Sequence, residues 1–212
     1  MAKQHKISLV GEANAGKTTL AYYMTHDKFL LNSNSTVGAS FNAIDYNEKK
    51  FQLWDTSGQE KFASLGSIYY RNSDVILIVF DSNNYRFELK LRFYLDEIKT
   101  KMNENSIFKL IIVCNKIDLI ASSRLNDIKK RVKELVSLSM ASDDVVDYVE
   151  ISCKNKTGRD SLMTAISDAC DNVTDKKNRI EKEYSLNDNI IRLDGLNKVD
   201  KLSNNSSCCL IS

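Results

Sequence analysis

The chain has 212 residues, with 30 basic and 28 acidic side chains, a net charge of +2 and no proline. This near balance of charge excludes the basic surface of a nucleic-acid-binding protein, so we expect no nucleic-acid partner. The sequence shows no secretion signal and no apolar stretch long enough to span a membrane, which predicts a cytosolic protein whose five cysteines are reduced.

The first distinctive motif is Gly11–Thr18, which matches the phosphate-binding pattern G-x-x-x-x-G-K-[ST]. Apolar residues before it predict a strand, and Leu20–Met24 predicts a helix after it. In that context, backbone N–H groups and the helix N-terminus bind phosphate oxygens, the lysine reaches the terminal phosphates and the threonine hydroxyl binds Mg²⁺. The alternative is a chance match in a glycine-containing turn. The predicted nucleotide-binding residues here are Ala13, Asn14, Ala15, Gly16, Lys17, Thr18 and Thr19.

Strands and helices are predicted to alternate after this motif. Further strands are expected at 41–46, 51–54, 75–80, 110–113 and 145–151, and helices at 87–102, 128–138 and 160–173. The first two of these strands form a hairpin, preceded by a long polar loop of the kind that is usually functional. The order predicts an α/β fold: a six-stranded, mostly parallel sheet with one antiparallel edge strand and helices on both faces.

The alternating pattern ends near residue 174, where Asn, Asp, Ser and Lys become frequent. We therefore predict a nucleotide-binding domain over 1–173 and a disordered, flexible tail over 174–212. Apolar residues recur at every third position between Ile190 and Leu202, so an amphipathic helix is the alternative for the tail.

A second motif, Asn115-Lys116-Ile117-Asp118, follows a buried strand and predicts which base is bound. The Asp118 carboxylate can accept hydrogen bonds from the ring N–H and the exocyclic amine of guanine, a donor pair that adenine lacks. Asn115 would bond the base and neighbouring backbone, and the stem of Lys116 would pack on the ring. A tripeptide after the last strand can offer a backbone N–H to the guanine carbonyl, although an ordinary loop is the alternative: Ser152, Cys153 and Lys154.

With these motifs in place, the chain resembles a small GTPase of the Ras superfamily, and in particular a Rab protein, over residues 6–173 and at its C-terminus. The Rab resemblance depends on four further features: Thr36–Phe41, Trp54–Phe62, Tyr69–Arg71 and two cysteines near the C-terminus. The resemblance implies a protein that binds and hydrolyses GTP and cycles between a membrane-bound, effector-recruiting GTP form and a GDP form. Such a cycle regulates vesicular membrane traffic.

The resemblance also implies roles for individual residues. Thr18 and Thr36 would bind Mg²⁺ directly, and Asp55 would bind it through water. Gly58 would donate its N–H to the γ-phosphate, and Gln59 would orient the attacking water. The remaining implied roles concern aromatic side chains: Phe29 would stack on the guanine edge, with core packing as the alternative, and effectors would contact Phe41, Trp54 and Tyr69.

Hydrolysis in this scheme needs a cation near the transition-state charge, usually an arginine. The first arginine in the chain is Arg71, so none lies in or before the loop that carries Thr36. We therefore expect slow intrinsic hydrolysis that needs a GTPase-activating protein. The other implied partners are an exchange factor, effectors, a prenylation escort protein and a GDP-dissociation inhibitor, all acting on a monomer.

The C-terminus predicts a lipid anchor, because Cys209 with the last three residues fits the C-a-a-X pattern. Ser212 alone suggests one farnesyl group, whereas the pair Cys208 and Cys209 on a Rab-like chain suggests two geranylgeranyl groups. The tail from 174 carries seven basic and six acidic residues, so no polybasic segment supports a single lipid and two lipids are favoured. The expected location is the cytosolic face of an endosomal or other vesicular membrane.

Two other functions compete with the switch: a module that binds GTP without hydrolysing it, and a P-loop kinase or ATPase. Gln59 argues against the first alternative and Asp118 against the second. The chain also departs from Rab proteins, since Ser57 replaces a usual alanine and the segment 41–54 is about four residues shorter than is usual. An even deletion keeps each side chain on its face of the sheet.

Overall fold

The computed structural model describes residues 4–31, 36, 38–57, 71–102, 106–140 and 144–203. The chain divides into two compact units, Met1–Val173 and Thr174–Ser212. The first unit contains a sheet with helices packed on it. No helix in the described ranges combines the length and the apolar character that crossing a membrane requires.

The sheet has six strands in the spatial order β2-β3-β1-β4-β5-β6. Only β2, at one edge, runs antiparallel to its neighbour, which confirms the predicted fold. The strands are β1 (Gln4–Val10), β2 (Ala39–Tyr46), β3 (Lys49–Thr56), β4 (Val75–Asp81), β5 (Lys109–Asn115) and β6 (Val145–Ile151). The helices are α1 (Lys17–His26), α2 (Phe87–Lys101), α3 (Ser122–Ser139) and α4 (Arg159–Ser203), with a short 3-10 helix at Ile117–Leu119.

The central strand β4 shows why the sheet is covered on both faces. Its first six residues are all buried, as expected of a strand with helices above and below it. Alternate residues enter two separate hydrophobic clusters. Val75, Leu77 and Val79 pack with α1 and the start of α4, whereas Ile76, Ile78 and Phe80 pack with α2 and α3.

The hairpin of β2 and β3 turns at only two residues, Asn47 and Glu48. Both have positive φ, 49° and 61°, as a type I′ turn requires. The resulting register places Phe41 opposite Trp54. The hairpin turn is therefore tighter than the four residues that the sequence indicates.

Two helices are longer than predicted. α3 begins at Ser122, whereas the sequence predicted a start at 128. The earlier start was not predicted because the first six residues of the helix include a single apolar side chain, Leu125, and so show no hydrophobic period. In the second unit the described backbone is helical to Ser203, whereas the sequence favoured a flexible tail and gave a helix as the alternative. That segment has no proline and a single glycine, Gly195, so its many Lys, Glu and Arg residues can continue a helix.

Five strands run parallel, and their carboxyl ends share one edge of the sheet. This edge is where ligands bind in open α/β sheets. The loop after β1, Asp55 near the end of β3, Asp81 at the end of β4, the segment after β5 and Ser152 after β6 all lie there.

Candidate functional site

The phosphate-binding motif Gly11–Thr18 joins β1 to α1, and its two glycines are required by close backbone packing. Gly11 has φ of 146°, and a Cβ there would lie 2.1 Å from the carbonyl oxygen of Val79. Gly16 has φ of 89°, and its Cβ would lie 2.4 Å from the Asn115 side-chain amide. The loop therefore packs against β4 and against the end of β5.

Lys17 is the charged group at the centre of this loop. Its Nζ donates to the carbonyl oxygens of Gly11 and Glu12, both at 2.8 Å, and the residue is only 5% exposed. Burial lowers the Lys17 pKa to about 8, although the negative charges of Asp55 and Glu12 oppose this shift. A buried ammonium with lowered pKa gains most from an anion, which the phosphates of a nucleotide supply.

Three oxygen-bearing side chains converge next to Lys17. The Thr18 hydroxyl donates to Asp55 Oδ2 at 2.7 Å and lies 2.9 Å from the Thr36 hydroxyl, which is 3.4 Å from the same carboxylate oxygen. Asp55 is fully buried, and its Oδ1 has no hydrogen-bond partner among the described residues. Burial raises the Asp55 pKa, and the hydrogen bond from Thr18 and the charge of Lys17 oppose this shift. Hard oxygen ligands around a buried carboxylate fit Mg²⁺.

The guanine motif, Asn115–Asp118, contacts the phosphate loop through two of its side chains. Asn115 is buried and its side-chain amide donates to the carbonyl oxygen of Ala15 at 2.9 Å. Lys116 has φ of 60°, and its Nζ donates to the carbonyl oxygen of Asn14 at 2.7 Å. Both residues thus connect the base motif directly to the phosphate loop.

Asp118, the predicted base-selecting residue, is oriented by the segment after β6. The Ser152 hydroxyl donates to Asp118 Oδ1 at 2.5 Å and accepts from the backbone N–H of Asn155 at 3.0 Å. Cys153 is buried, and its thiol lies 3.8 Å from Asn115 Oδ1. Burial raises the Cys153 pKa to about 12, so this thiol is protonated and unreactive. Lys154 is exposed.

Other predicted residues lie around this site. Phe29 is 38% exposed, which argues against core packing, and its contact with the base stays a prediction. On the hairpin, the rings of Phe41 and Trp54 form an edge-to-face pair with centroids 5.7 Å apart. Phe41 is exposed, and its contact with effectors stays a prediction. The predicted residues Gly58, Gln59, Tyr69, Cys208 and Cys209 lie outside the described residues.

The sequence interpretation missed the loop that follows β4. Asp81 Oδ2 accepts from Lys116 Nζ at 2.8 Å, and the Ser82 hydroxyl donates to the Lys116 carbonyl oxygen at 2.9 Å. The Asn84 side-chain amide donates to Glu12 in the phosphate loop. The signal was present in part, because Asp81 is a carboxylate at the end of a buried strand.

Comparison with known proteins gives the family. The family model described as "Ras family" matches residues 6–172. The "Ras-related protein Rab-7B" of Dictyostelium discoideum is 32% identical over 209 residues, which covers 96% of each chain. The "GTP-binding protein yptV5" of Volvox carteri is 33% identical over 76% of this chain and 80% of its own. The "Ras-related protein Rab-5B" of Plasmodium falciparum is 33% identical over 72% of this chain and 70% of its own.

The matched residues 6–172 include the phosphate loop, the guanine motif and every strand of the sheet apart from the first two residues of β1. Within this range the buried lysine, the threonine–aspartate cluster and the aspartate of the base motif lie at one edge of the sheet. The chain therefore belongs to the Ras family, as a Rab-like small GTPase that binds guanine nucleotides, hydrolyses GTP and regulates membrane trafficking.

Proposed function

We propose that the chain is a Mg²⁺-dependent, lipid-anchored GTP switch in which Thr18, Thr36 and Asp55 hold the metal ion. The observation that carries this proposal is the convergence of the two hydroxyls on one buried carboxylate. Mg²⁺ would supply positive charge next to the β- and γ-phosphates. Because Thr36 lies 18 positions after Thr18, its bond joins a separate loop to the phosphate site.

The same proposal assigns the phosphate-binding and base-binding groups. Residues 13–19 hold the phosphates, with Lys17 as the buried cation, and Phe29 stacks on the base. Asn115, Lys116 and Asp118 bind guanine with the support of residues 152–154. The effector surface includes the exposed ring of Phe41 and its partner Trp54, with Tyr69 as its third member.

Hydrolysis by the isolated chain is slow in this proposal. Gln59 orients the attacking water and Gly58 binds the γ-phosphate, but the sequence has no arginine before Arg71 to stabilise the transition state from the Thr36 loop. Family membership implies an exchange factor, a GTPase-activating protein and effectors. The activating protein supplies the missing cation.

Attachment to membranes is proposed to use Cys208 and Cys209. A single prenyl chain binds membranes marginally, and the nearly neutral tail offers no polybasic support, so two geranylgeranyl groups are proposed. An escort protein for prenylation and a GDP-dissociation inhibitor then follow as partners, because two such chains must be shielded from water. The resemblance of Val37–Phe41 and Ser64-Leu65 to endosomal Rab proteins supports an endosomal membrane.

The test of the metal assignment is the rate of GDP release with and without a chelator. Chelation of Mg²⁺ is expected to accelerate release from the unaltered protein by at least tenfold. Thr18→Ala removes a proposed ligand and is expected to release GDP rapidly whether or not Mg²⁺ is present. Thr100→Ala, which removes an exposed hydroxyl on α2, is the matched control and should behave like the unaltered protein. If a chelator did not change the rate of GDP release from the unaltered protein, the metal assignment would be contradicted.

The switch assignment is tested separately by GTP turnover with and without a Rab-activating protein. Slow turnover that the activator accelerates is expected. Turnover that stays negligible with every activator tried would favour a static GTP-binding module instead.

A further inference from the structure

The phosphate loop contains an acidic residue, Glu12, whose charge has the same sign as the ligand. A carboxylate that pointed at the phosphates would repel them. The structure directs this side chain away, toward the segment between β4 and α2. Asn84 donates its side-chain N–H to Glu12 Oε1, and Lys90 on α2 lies 3.6 Å from Oε2. The Glu12 side chain is 16% exposed, so water screens these contacts only in part.

Asn84 is itself fixed in orientation. Its side-chain Oδ1 accepts from the backbone N–H of Arg86 at 2.9 Å, which leaves Nδ2 directed toward Glu12. The backbone N–H of Asn84 also bonds the carbonyl oxygen of Asp81 at 3.1 Å. Hydrogen bonds within the loop between β4 and α2 therefore hold the Asn84 side-chain N–H in the orientation that contacts Glu12.

The backbone carbonyl of Glu12 makes hydrogen bonds within the phosphate loop. Its carbonyl oxygen accepts from Lys17 Nζ and from the backbone N–H of Ala15 at 3.3 Å. The side chain that Asn84 holds and the carbonyl that orients the lysine thus belong to one residue. Release of the Glu12 side chain would therefore allow this acceptor of the phosphate-binding lysine to move.

We propose that Asn84 is a positioning residue for phosphate binding: through Glu12 it holds the phosphate loop in the conformation that binds the β-phosphate. The inference depends on the assignment of Gly11–Thr18 as the phosphate loop, which the preference of the unaltered protein for GDP over GMP tests independently. Lys90 adds a weaker, partly exposed ion pair to the same carboxylate.

The experiment measures affinities of the full chain for GDP, GMP and inosine diphosphate by competition with a fluorescent GDP. Asn84→Ala is expected to weaken GDP binding by about tenfold, which is the usual effect of losing a hydrogen bond to a charged group. GMP affinity should change by less than twofold, because GMP lacks the β-phosphate. The preference for GDP over inosine diphosphate should be unchanged, because the base end is intact.

Matched variants separate positioning from general damage. Asn83→Ala removes the exposed neighbouring side chain and should leave all three affinities unchanged. Glu12→Ala should reproduce the effect of Asn84→Ala, and the double variant should be no worse than either single one. Glu12→Gln keeps an acceptor for Asn84 but loses the negative charge and with it the ion pair to Lys90, so it should recover most of the GDP affinity that Glu12→Ala loses.

Several results would overturn the proposal. Equal losses of GDP and GMP affinity in Asn84→Ala would indicate general destabilisation. Additive losses in the double variant would show that the two residues act separately. If the unaltered protein binds GMP as tightly as GDP, the phosphate-loop assignment itself fails, and this outcome is distinct from a failure of Asn84 alone.

Discussion

The two ends of the proposed nucleotide site differ in how their polar and charged groups are stabilised. At the base end, polar groups are paired within the protein: Asn115 with Ala15, Lys116 with Asp81 and Asp118 with Ser152. At the phosphate end, Lys17 and Asp55 are buried charges whose pKa values are displaced in opposite directions by burial. The base end is therefore held by internal hydrogen bonds, whereas the phosphate end also contains buried charges that a charged ligand would compensate.

The largest expected effect comes from Asp118→Asn at the base end. The amide keeps an oxygen that can accept from Ser152, so its N–H₂ group faces the base where guanine also presents donors. GDP affinity is expected to fall by about a thousandfold, because buried donors are left unpaired. Xanthosine diphosphate, which has a carbonyl in place of the exocyclic amine, should bind the variant better than GDP does.

Asp127→Asn is the control for that change, since Asp127 is exposed on α3. It should leave the affinities for both nucleotides unaltered. Retained GDP affinity in Asp118→Asn would show that Asp118 does not select the base.

Gly16→Ala tests the junction between the two ends. A Cβ at this position meets the Asn115 amide and requires a residue with φ of 89°, which costs about 1–3 kcal/mol in backbone strain. GDP affinity should fall by about tenfold to a hundredfold, together with a lower melting temperature. Ala15→Gly, which also changes a loop residue but adds no atom, is the comparison. An unchanged affinity in Gly16→Ala would mean that the two ends are not coupled through Asn115.

The phosphate end should make binding dependent on pH. In the unliganded protein the Lys17 pKa is about 8, below its ordinary value, and phosphates raise it again. Binding therefore takes up a proton above pH 8, and GDP affinity should fall by about tenfold from pH 7 to pH 9. Lys17→Arg keeps its charge over this range, so the affinity of that variant should lose this dependence. Calorimetry in buffers of different ionisation enthalpy measures the proton uptake, and equal pH profiles for both proteins would contradict the assignment.

The smallest effect concerns the buried thiols. Burial raises the pKa of Cys114 and of Cys153 to about 12, so neither forms much thiolate at pH 8. Because the base end is preformed, removing GDP should change the alkylation rate of Cys153 by less than twofold. Mass spectrometry after a timed iodoacetamide pulse measures this rate, with the urea-unfolded chain as the fully reactive reference. Rapid labelling of Cys153 after GDP removal would show that the base end opens.

Much of the fold followed from local sequence. The unbroken apolar segment of β4 and the helical spacing of Phe87, Leu91 and Leu95 are strong signals because burial alone determines them. The starts and ends of helices were less predictable. The polar first turns of α3 have no hydrophobic period to reveal them. In the helical continuation after Val173 the apolar residues recur every third position, which does not keep them on one face of a helix.

The site was predictable where a motif places its residues within a few positions of one another. The contacts from Asn84 to Glu12 and from Asp81 to Lys116 were not, because they join residues 72 and 35 positions apart. They exist because β1 and β5 flank β4 in the sheet, and that strand order is not encoded in any one segment. Long-range polar contacts of this kind need the three-dimensional arrangement.

The tight turn at Asn47 and Glu48 also sets the length of the hairpin that we propose as an effector surface. From the Phe41–Trp54 pair to the Tyr46–Lys49 pair the hairpin extends five residues, or about 17 Å. A hairpin with four more residues would extend two residues, or about 7 Å, farther. A binding partner shaped to contact both the aromatic pair and the tip of such a longer hairpin would not contact the tip of this one, because this tip lies about 7 Å closer to the pair. We therefore expect the hairpin to favour partners whose contact surface extends no farther than about 17 Å from the aromatic pair.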